Sequence, residues 1–331
     1  MNAGPHTPPL RGSLAPEGAD PAWGGPAPDR GVCVPVAVIG AGLMGGAMVE
    51  RLRERGWPVA VRDIDPACAE RARGAGAMVC ASAREVAAVL DEGGVLAIVV
   101  VDAAQCRDVL WGEQGAAPLL KPGQTVLLCP TIAPEDTEAI AARLAPLGVD
   151  TIDAPMSGGP ARARAGTMSL MLAGPEAALQ RHAGLLADLS DSQFRVGERV
   201  GDGARTKLVN NLLAGINLAG AAEALALAQR LGLDLTRTLD VIERSSGQSW
   251  IGADRLRRQL AGDTAPRAHM TLLAKDTRLA VAAGRAAGHE GVLGPQAAAV
   301  FAAALSVGMA GLDDGALLDW MRAHPDGLPS P

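Results

Sequence analysis

Val36-Ala37-Val38-Ile39-Gly40-Ala41-Gly42-Leu43-Met44-Gly45 changes character twice within one short stretch. An apolar run without polar alternation predicts a strand, and the glycines that follow break it. From Leu43 to Arg55 the apolar positions Leu43, Ala47, Met48 and Leu52 return at helical spacing, and Gly56 stops the run. The turn between strand and helix reads G-x-G-x-x-G. Gly40 permits the tight turn, Gly42 lets backbone approach a pyrophosphate, and Gly45 lets helix and strand pack closely. The first helical N–H groups, around Ala41, Leu43 and Met44, then face negative charge at the positive end of the helix dipole.

Working outward, Val59-Ala60-Val61 is a second strand. It ends at Arg62-Asp63, with the carboxylate 18 positions beyond Gly45, and Pro66 starts another helix. Asp63 is placed to accept hydrogen bonds from the adenosine ribose, and its charge disfavours a 2′-phosphate. NAD is therefore expected before NADP, although Arg62 could turn toward a phosphate. The bland alternative for Asp63 is a loop carboxylate or a helix cap ahead of Pro66. Further strands are predicted at Val95–Val101, Thr125–Leu128 and Val149–Ile152, with helices between them, so the sheet should be doubly wound and mainly parallel. The unbroken apolar run 95–101 suits a central strand buried on both faces.

A second regime begins near Gly201. Leu208, Leu212, Ile216, Ala219, Ala222 and Leu225 recur three or four apart, predicting one helix over Ala204–Leu231 of roughly 40 Å. Beyond it every pattern is helical: Thr236–Ser245, Ile251–Leu260, Met270–Ala287, Pro295–Val307 and Gly315–Arg322. The expected architecture is an α/β dinucleotide-binding domain over 35–199 and an all-α domain over 200–331, joined by the long helix. Residues 1–34, rich in Pro, Gly and Ala, read as a disordered tail with no secretory signal.

Bulk properties remove several classes. The chain of 331 residues carries a formal charge of −6 and no Lys/Arg run, so no nucleic-acid footprint is expected. No charge-free segment of spanning length is found, which argues against a membrane protein. Five cysteines without C-x-x-C spacing read as reduced bystanders in the cytoplasm, and five scattered histidines give no metal site.

Two more clusters carry chemistry. Asp153-Ala154-Pro155-Met156-Ser157-Gly158-Gly159 follows a predicted strand, and the consecutive N–H groups of Ser157, Gly158 and Gly159 form either an anion nest or a plain turn. In Gly201–Asn211, Lys207 and Asn211 stand four apart on one helix face. A lysine kept neutral by burial is a suitable base for a carbinol proton, whereas an isolated helical lysine is ordinarily solvated. Lys275-Asp276, by itself, reads as a surface ion pair.

Together the glycine turn, Asp153–Gly159, Gly201–Asn211 and Lys275-Asp276, in this order, resemble the β-hydroxyacid dehydrogenase family from about Val36 to Arg322. The resemblance implies a Rossmann domain, Lys207 as acid/base, and Ser157, Gly158, Gly159 and Asn211 as the substrate-carboxylate site. It also implies cofactor contacts from Val100, Val101, Gln105 and Thr131, with Lys275 closing over the nicotinamide end. Val101 stands where the family usually has proline, and Cys129-Pro130-Thr131 replaces its Ser-Ser-Thr run. Within the family, 101–105, 110–113 and Ser246–Trp250 are similar to the L-threonate dehydrogenase branch, while Asn210-Asn211 is nearer the 3-hydroxyisobutyrate pattern. The implied substrate is a small hydroxy acid, with 3-hydroxyisobutyrate and tartronate semialdehyde as alternatives. An imine reductase or a non-catalytic binding member is the rival, disfavoured by the presence of Lys207. So apolar a helical domain is expected to form a homodimer or homotetramer.

Overall fold

The structure, a computed structural model, describes residues 34–324 and two short pieces, 19–20 and 25–26, which pair with each other antiparallel. Apart from those pieces and Val34, the expected tail at 1–34 lies outside the described residues.

The α/β part runs β1 (Val36–Ile39), α1 (Leu43–Glu54), β2 (Val59–Arg62), α2 (Pro66–Gly74), β3 (Met78–Val79), α3 (Ala83–Ala88), β4 (Val95–Ile98) and α4 (Ala103–Trp111). It continues β5 (Thr125–Leu128), α5 (Pro134–Leu144), β6 (Asp150–Asp153), β7 (Met156–Ser157), α6 (Gly159–Ala165), β8 (Ser169–Ala173), α7 (Glu176–Arg181), α8 (Ala183–Leu189) and β9 (Ser192–Gly197). The sheet order is β9-β8-β6-β5-β4-β1-β2-β3, with β7 on β8. From β3 across to β6 all neighbours are parallel, whereas β8 runs antiparallel to β6. Strand order 3-2-1-4-5-6 is that of a Rossmann sheet, whose ligand crevice lies beyond the carboxyl ends of β1 and β4, where the winding reverses.

Side-chain alternation gives the sheet two apolar faces. Val36 and Val38 pack with Met48 and Leu52 of α1 on one face; Ala37 and Ile39 pack with Val86 of α3 and Leu110 of α4 on the other. The run expected as one strand over 95–101 stops at Ile98. Val99 still donates to the Ile39 carbonyl, but Val99–Val101 then leave the sheet at the level where β1 enters its turn.

The helical part consists of α9 (Asp202–Arg230), α10 (Leu235–Glu243), α11 (Trp250–Leu260), α12 (Met270–Ala286), α13 (Leu293–Ser306) and α14 (Leu317–Ala323). By length and apolarity α9 is the one helix among the described residues that could cross a bilayer. Its packing gives a sufficient reason for that composition: it touches β6, β8 and β9 on one side and α10 to α14 on the other. A third core forms there from Leu218, Ala222 and Leu225 with Leu239, Leu256 and Phe301.

The junction is built around Asp153, at the end of β6. Its buried carboxylate accepts from the N–H groups of Gly201 and Ala204, each at 2.9 Å, and so caps α9 from the sheet. Gly203 cannot be larger, since a Cβ there would lie 2.8 Å from the Asp153 carboxyl carbon and the Met171 carbonyl. Burial pushes the Asp153 carboxyl up to about 6 against the pull of those N–H donors. Lys207 follows little more than one turn inside this cap.

Candidate active site

One cleft, of about 680 Å³, runs from the glycine turn to α9 and α12. At one end it is made of backbone. Gly40 holds φ +94°, and a Cβ on it would lie 2.4 Å from the Val99 carbonyl oxygen; one on Gly45 would lie 1.8 Å from the Gly40 oxygen. Gly42 differs, because a Cβ there would meet nothing within 4 Å, and no side chain caps α1. Protein packing therefore explains the first and third glycines, while the second leaves open space before an uncapped helix N-terminus. That is the cradle a pyrophosphate fills, so the residues present fit a dinucleotide.

Asp63 accepts from the Ala41 N–H through one oxygen and from the Asp65 N–H through the other. The cap of α2 is Asp65, which accepts from the Ala67 N–H, so the alternative of Asp63 as that cap does not hold. Arg62 turns its guanidinium onto the Asp63 carbonyl. Leu43, Met44 and Gly45 line the cleft, followed by Val100, Val101 and Thr131 from the ends of β4 and β5. Gln105 stands apart. Its side-chain oxygen accepts from the Val101 N–H at 2.9 Å, which shapes the loop, and Gln105, like Gly40, Ala41 and Asp63, is not among the lining residues.

The other end is made of side chains. Lys207 is 6 % exposed, and its amine makes no hydrogen bond with any described residue. Burial pulls its ammonium down to about 8, a shift that Asp276 opposes and Lys275 assists. Asn211, one turn on, donates to Asp276 Oδ2 at 2.5 Å. Lys275 donates to the Thr131 carbonyl and lies 2.9 Å from Asp276 Oδ1, so α12 is tied to the end of β5 across the cleft. Ser157, Gly158 and Gly159 line the same cavity beside Lys207 and Asn211. The pair expected at the surface is thus a largely buried bridge: Asp276 joins Asn211 and Lys275 in the cleft that Lys207 also lines, near enough for its charge to act on that amine. What puts it there is its position on the inner face of α12, with Leu273, Thr277 and Ala280.

Sequence reasoning missed Asp276 as a site group, and also Arg255 and Asp314, which line the cleft from the helical domain. Asp276 had a signal, an acidic residue at the helical spacing of Leu273 and Ala280. Asp314 had none, lying in a 3-10 turn ahead of α14.

Chemically, the cleft offers a phosphate cradle, a buried amine able to exchange a proton near neutrality, and backbone N–H groups beside it. Comparison with known proteins agrees with this layout. Residues 35–197 match the model for the NAD binding domain of 6-phosphogluconate dehydrogenase. Residues 201–321 match the NAD-binding domain of NADP-dependent 3-hydroxyisobutyrate dehydrogenase. L-threonate dehydrogenase of Cupriavidus necator is 36% identical over 86% of this chain and 94% of its own. The crystal structure of 3-hydroxyisobutyrate dehydrogenase from Salmonella typhimurium superposes with TM-score 0.80 at 35% identity, covering 86% of this chain and 99% of that one. Psf3 in complex with NADP+ and 2-OPP gives TM-score 0.80 at 27% identity over 86% and 99%. With a Rossmann glycine turn, a lysine-bearing interdomain helix and relatives matched over nearly their whole length, the chain belongs to the β-hydroxyacid dehydrogenase family, close to its L-threonate dehydrogenase branch.

Proposed function

We propose that the protein oxidises the hydroxyl of a small sugar acid, L-threonate or a close analogue, using NAD. The observation that carries this reading is the Lys207 amine, buried and held near neutrality in the same cleft as the glycine turn. Gly40–Gly45 and Asp63 would hold the dinucleotide, with Val100, Val101 and Thr131 along its course. When bound, it supplies a hydride acceptor at nicotinamide C4. Lys207 Nζ takes the hydroxyl proton as the carbinol carbon loses its hydride, and returns that proton in the reverse direction. The N–H groups of Gly158 and Gly159 receive the substrate carboxylate, since that of Ser157 is used in pairing β7 with β8, and the Asn211 amide lies beside them. Asp276 anchors Asn211 and, through its charge, sets how readily Lys207 gives up its proton. Lys275 braces the two domains over the site through Thr131.

Asp63 supports NAD over NADP: its carboxylate is fixed at the end of β2, and the neighbouring guanidinium is already committed to the Asp63 carbonyl. Self-association is part of the reading. Val209 and Leu227 of α9 are 70% and 59% exposed, and Leu213, at the edge of the cleft, is 58% exposed; these apolar side chains are suited to a second copy. Light scattering should find a dimer or tetramer; a monomer at micromolar concentration removes that part.

Initial rates with L-threonate, D-erythronate, D-glycerate, 3-hydroxyisobutyrate and 4-hydroxybutyrate, each with NAD and NADP, test the whole. The highest kcat/KM is expected for L-threonate with NAD. Methylamine-dependent NADPH oxidation without any hydroxy-acid turnover would instead establish an imine reductase.

A further inference from the structure

Arg255, on α11, is 9 % exposed and lines the cleft. Its Nε donates to Asp314 Oδ1 at 2.6 Å and its Nη1 to Asp254. Nη2 is left without a partner among the described residues, as is Asp314 Oδ2, and Asp314 lines the cleft too. The salt bridge therefore fixes one spare donor and one spare acceptor side by side in a largely buried wall.

Position relative to the substrate follows from Trp250, at the start of α11. Two guanidiniums lie over its ring, with Arg255 Cζ at 5.9 Å and Arg162 Cζ at 5.8 Å from the centroid. Arg162 belongs to α6, and its Cδ would lie 2.8 Å from a Cβ on Gly158. The wall thus stands beside the Ser157–Gly159 loop, on the substrate side of the cleft.

Charge then selects the ligand. Three guanidiniums in this region, Arg255, Arg258 and Arg267, face four carboxylates, Asp254, Asp263, Asp313 and Asp314. Within that set no positive charge is left over for a second anionic group; Arg162, which has no ion pair among the described residues, lies by Gly158, on the side of the substrate carboxylate. A methyl group would leave the buried donor and acceptor unpaired, which a site built for a hydroxyl penalises strongly. A neutral hydroxyl satisfies both.

We infer that Arg255 and Asp314 form a specificity subsite for an uncharged hydroxyl on the tail of the acid, remote from its carboxylate. This rests on the dehydrogenase reading above and narrows its substrate class to hydroxylated tails, against methyl-branched acids and dicarboxylates.

The test compares L-threonate, its 4-deoxy analogue, D-glycerate, 3-hydroxyisobutyrate and 2-(hydroxymethyl)glutarate as substrates of the wild-type chain and of Arg255→Lys. Arg255→Lys keeps the charge opposite Asp314 and removes the spare Nη2 donor. For the wild type, kcat/KM should fall at least tenfold on 4-deoxygenation, and both 3-hydroxyisobutyrate and the dicarboxylate should rank below L-threonate. In Arg255→Lys, kcat/KM for L-threonate should fall about 30-fold, mostly through KM, while D-glycerate changes less than threefold. Equal losses on both substrates, or a dicarboxylate preferred by the wild type, would overturn the subsite. Should Arg255→Lys not fold, the 4-deoxy comparison in the wild type still decides: equal kcat/KM overturns it. Turnover of short acids without discrimination of the tail defeats only the subsite, whereas no turnover of any hydroxy acid defeats the dehydrogenase reading beneath it.

Discussion

The two ends of the cleft are built on different principles. The glycine turn works through backbone, is contiguous in sequence, and is shaped by the absence of side chains at Gly40, Gly42 and Gly45. The lysine end works through side chains, gathers Lys207 and Asn211 from α9 with Lys275 and Asp276 from α12, and depends on burial to tune the Lys207 amine. Damage should therefore divide cleanly: changes at the turn reach cofactor affinity or the fold, and changes at the lysine end reach chemistry.

The largest break expected is Lys207→Ala. Loss of a positioned general base lowers kcat about 10³-fold, while NADH affinity by fluorescence titration stays within threefold. A variant with wild-type turnover would remove Lys207 from the mechanism.

Next comes a contrast inside the turn. Gly45→Ala sets a Cβ 1.8 Å from the Gly40 carbonyl oxygen and should cost about 3 kcal/mol or more, read as a lowered denaturation midpoint. Gly42→Ala meets nothing within 4 Å, so the midpoint should hold while NAD affinity falls about tenfold. Equal destabilisation by both would mean that Gly42 is a packing glycine as well.

A stability effect of about 2 kcal/mol is expected at the lysine end. The Lys207 amine titrates near 8 when folded and at the ordinary lysine value of 10.5 when exposed. Between those values the unfolded chain holds a proton that the folded chain has released, so stability gains as pH rises through that window. Urea denaturation at about pH 7.5 and 9.5 should show this gain in the wild type and not in Lys207→Met.

The smallest effect sharpens the pairing with Asp276. Oxidation needs neutral Lys207, so kcat/KM for the acid should rise with pH through about 8, and the reverse reduction should fall over the same range. Asp276 favours the charged amine. Asp276→Asn should shift the oxidation limb to lower pH, with less than tenfold change at the plateau. A limb that moves upward would show that Asp276 does not act on Lys207 through its charge.

Much of this architecture is legible in the amino-acid order. Strand, turn and helix at Val36–Glu54 are local, and the expected elements of the helical domain lie within a few residues of those observed. Val95–Val101 misleads because apolarity reports burial and not hydrogen-bonding: its last three residues stay apolar while lining the cleft. The antiparallel β8 and the short β7 have no such signature, since Met168–Ala173 carries no turn signal that sets strand direction. Nor does local spacing announce that the Gln105 side chain accepts from the Val101 N–H and shapes that loop.

By itself, then, the sequence determined the glycine turn, the lysine-bearing helix and their order along the chain, because each is set by nearest-neighbour spacing. Only tertiary structure decided that Asp153 caps α9, that Asp276 lies near Lys207, and that Arg255 pairs with Asp314 in the cleft wall. Those pairings, two through hydrogen bonds and that of Lys207 with Asp276 through charge, join residues 51, 59 and 69 positions apart. Burial, which sets the proton affinity of the lysine, belongs to no residue alone; the packing of the two domains around it creates it.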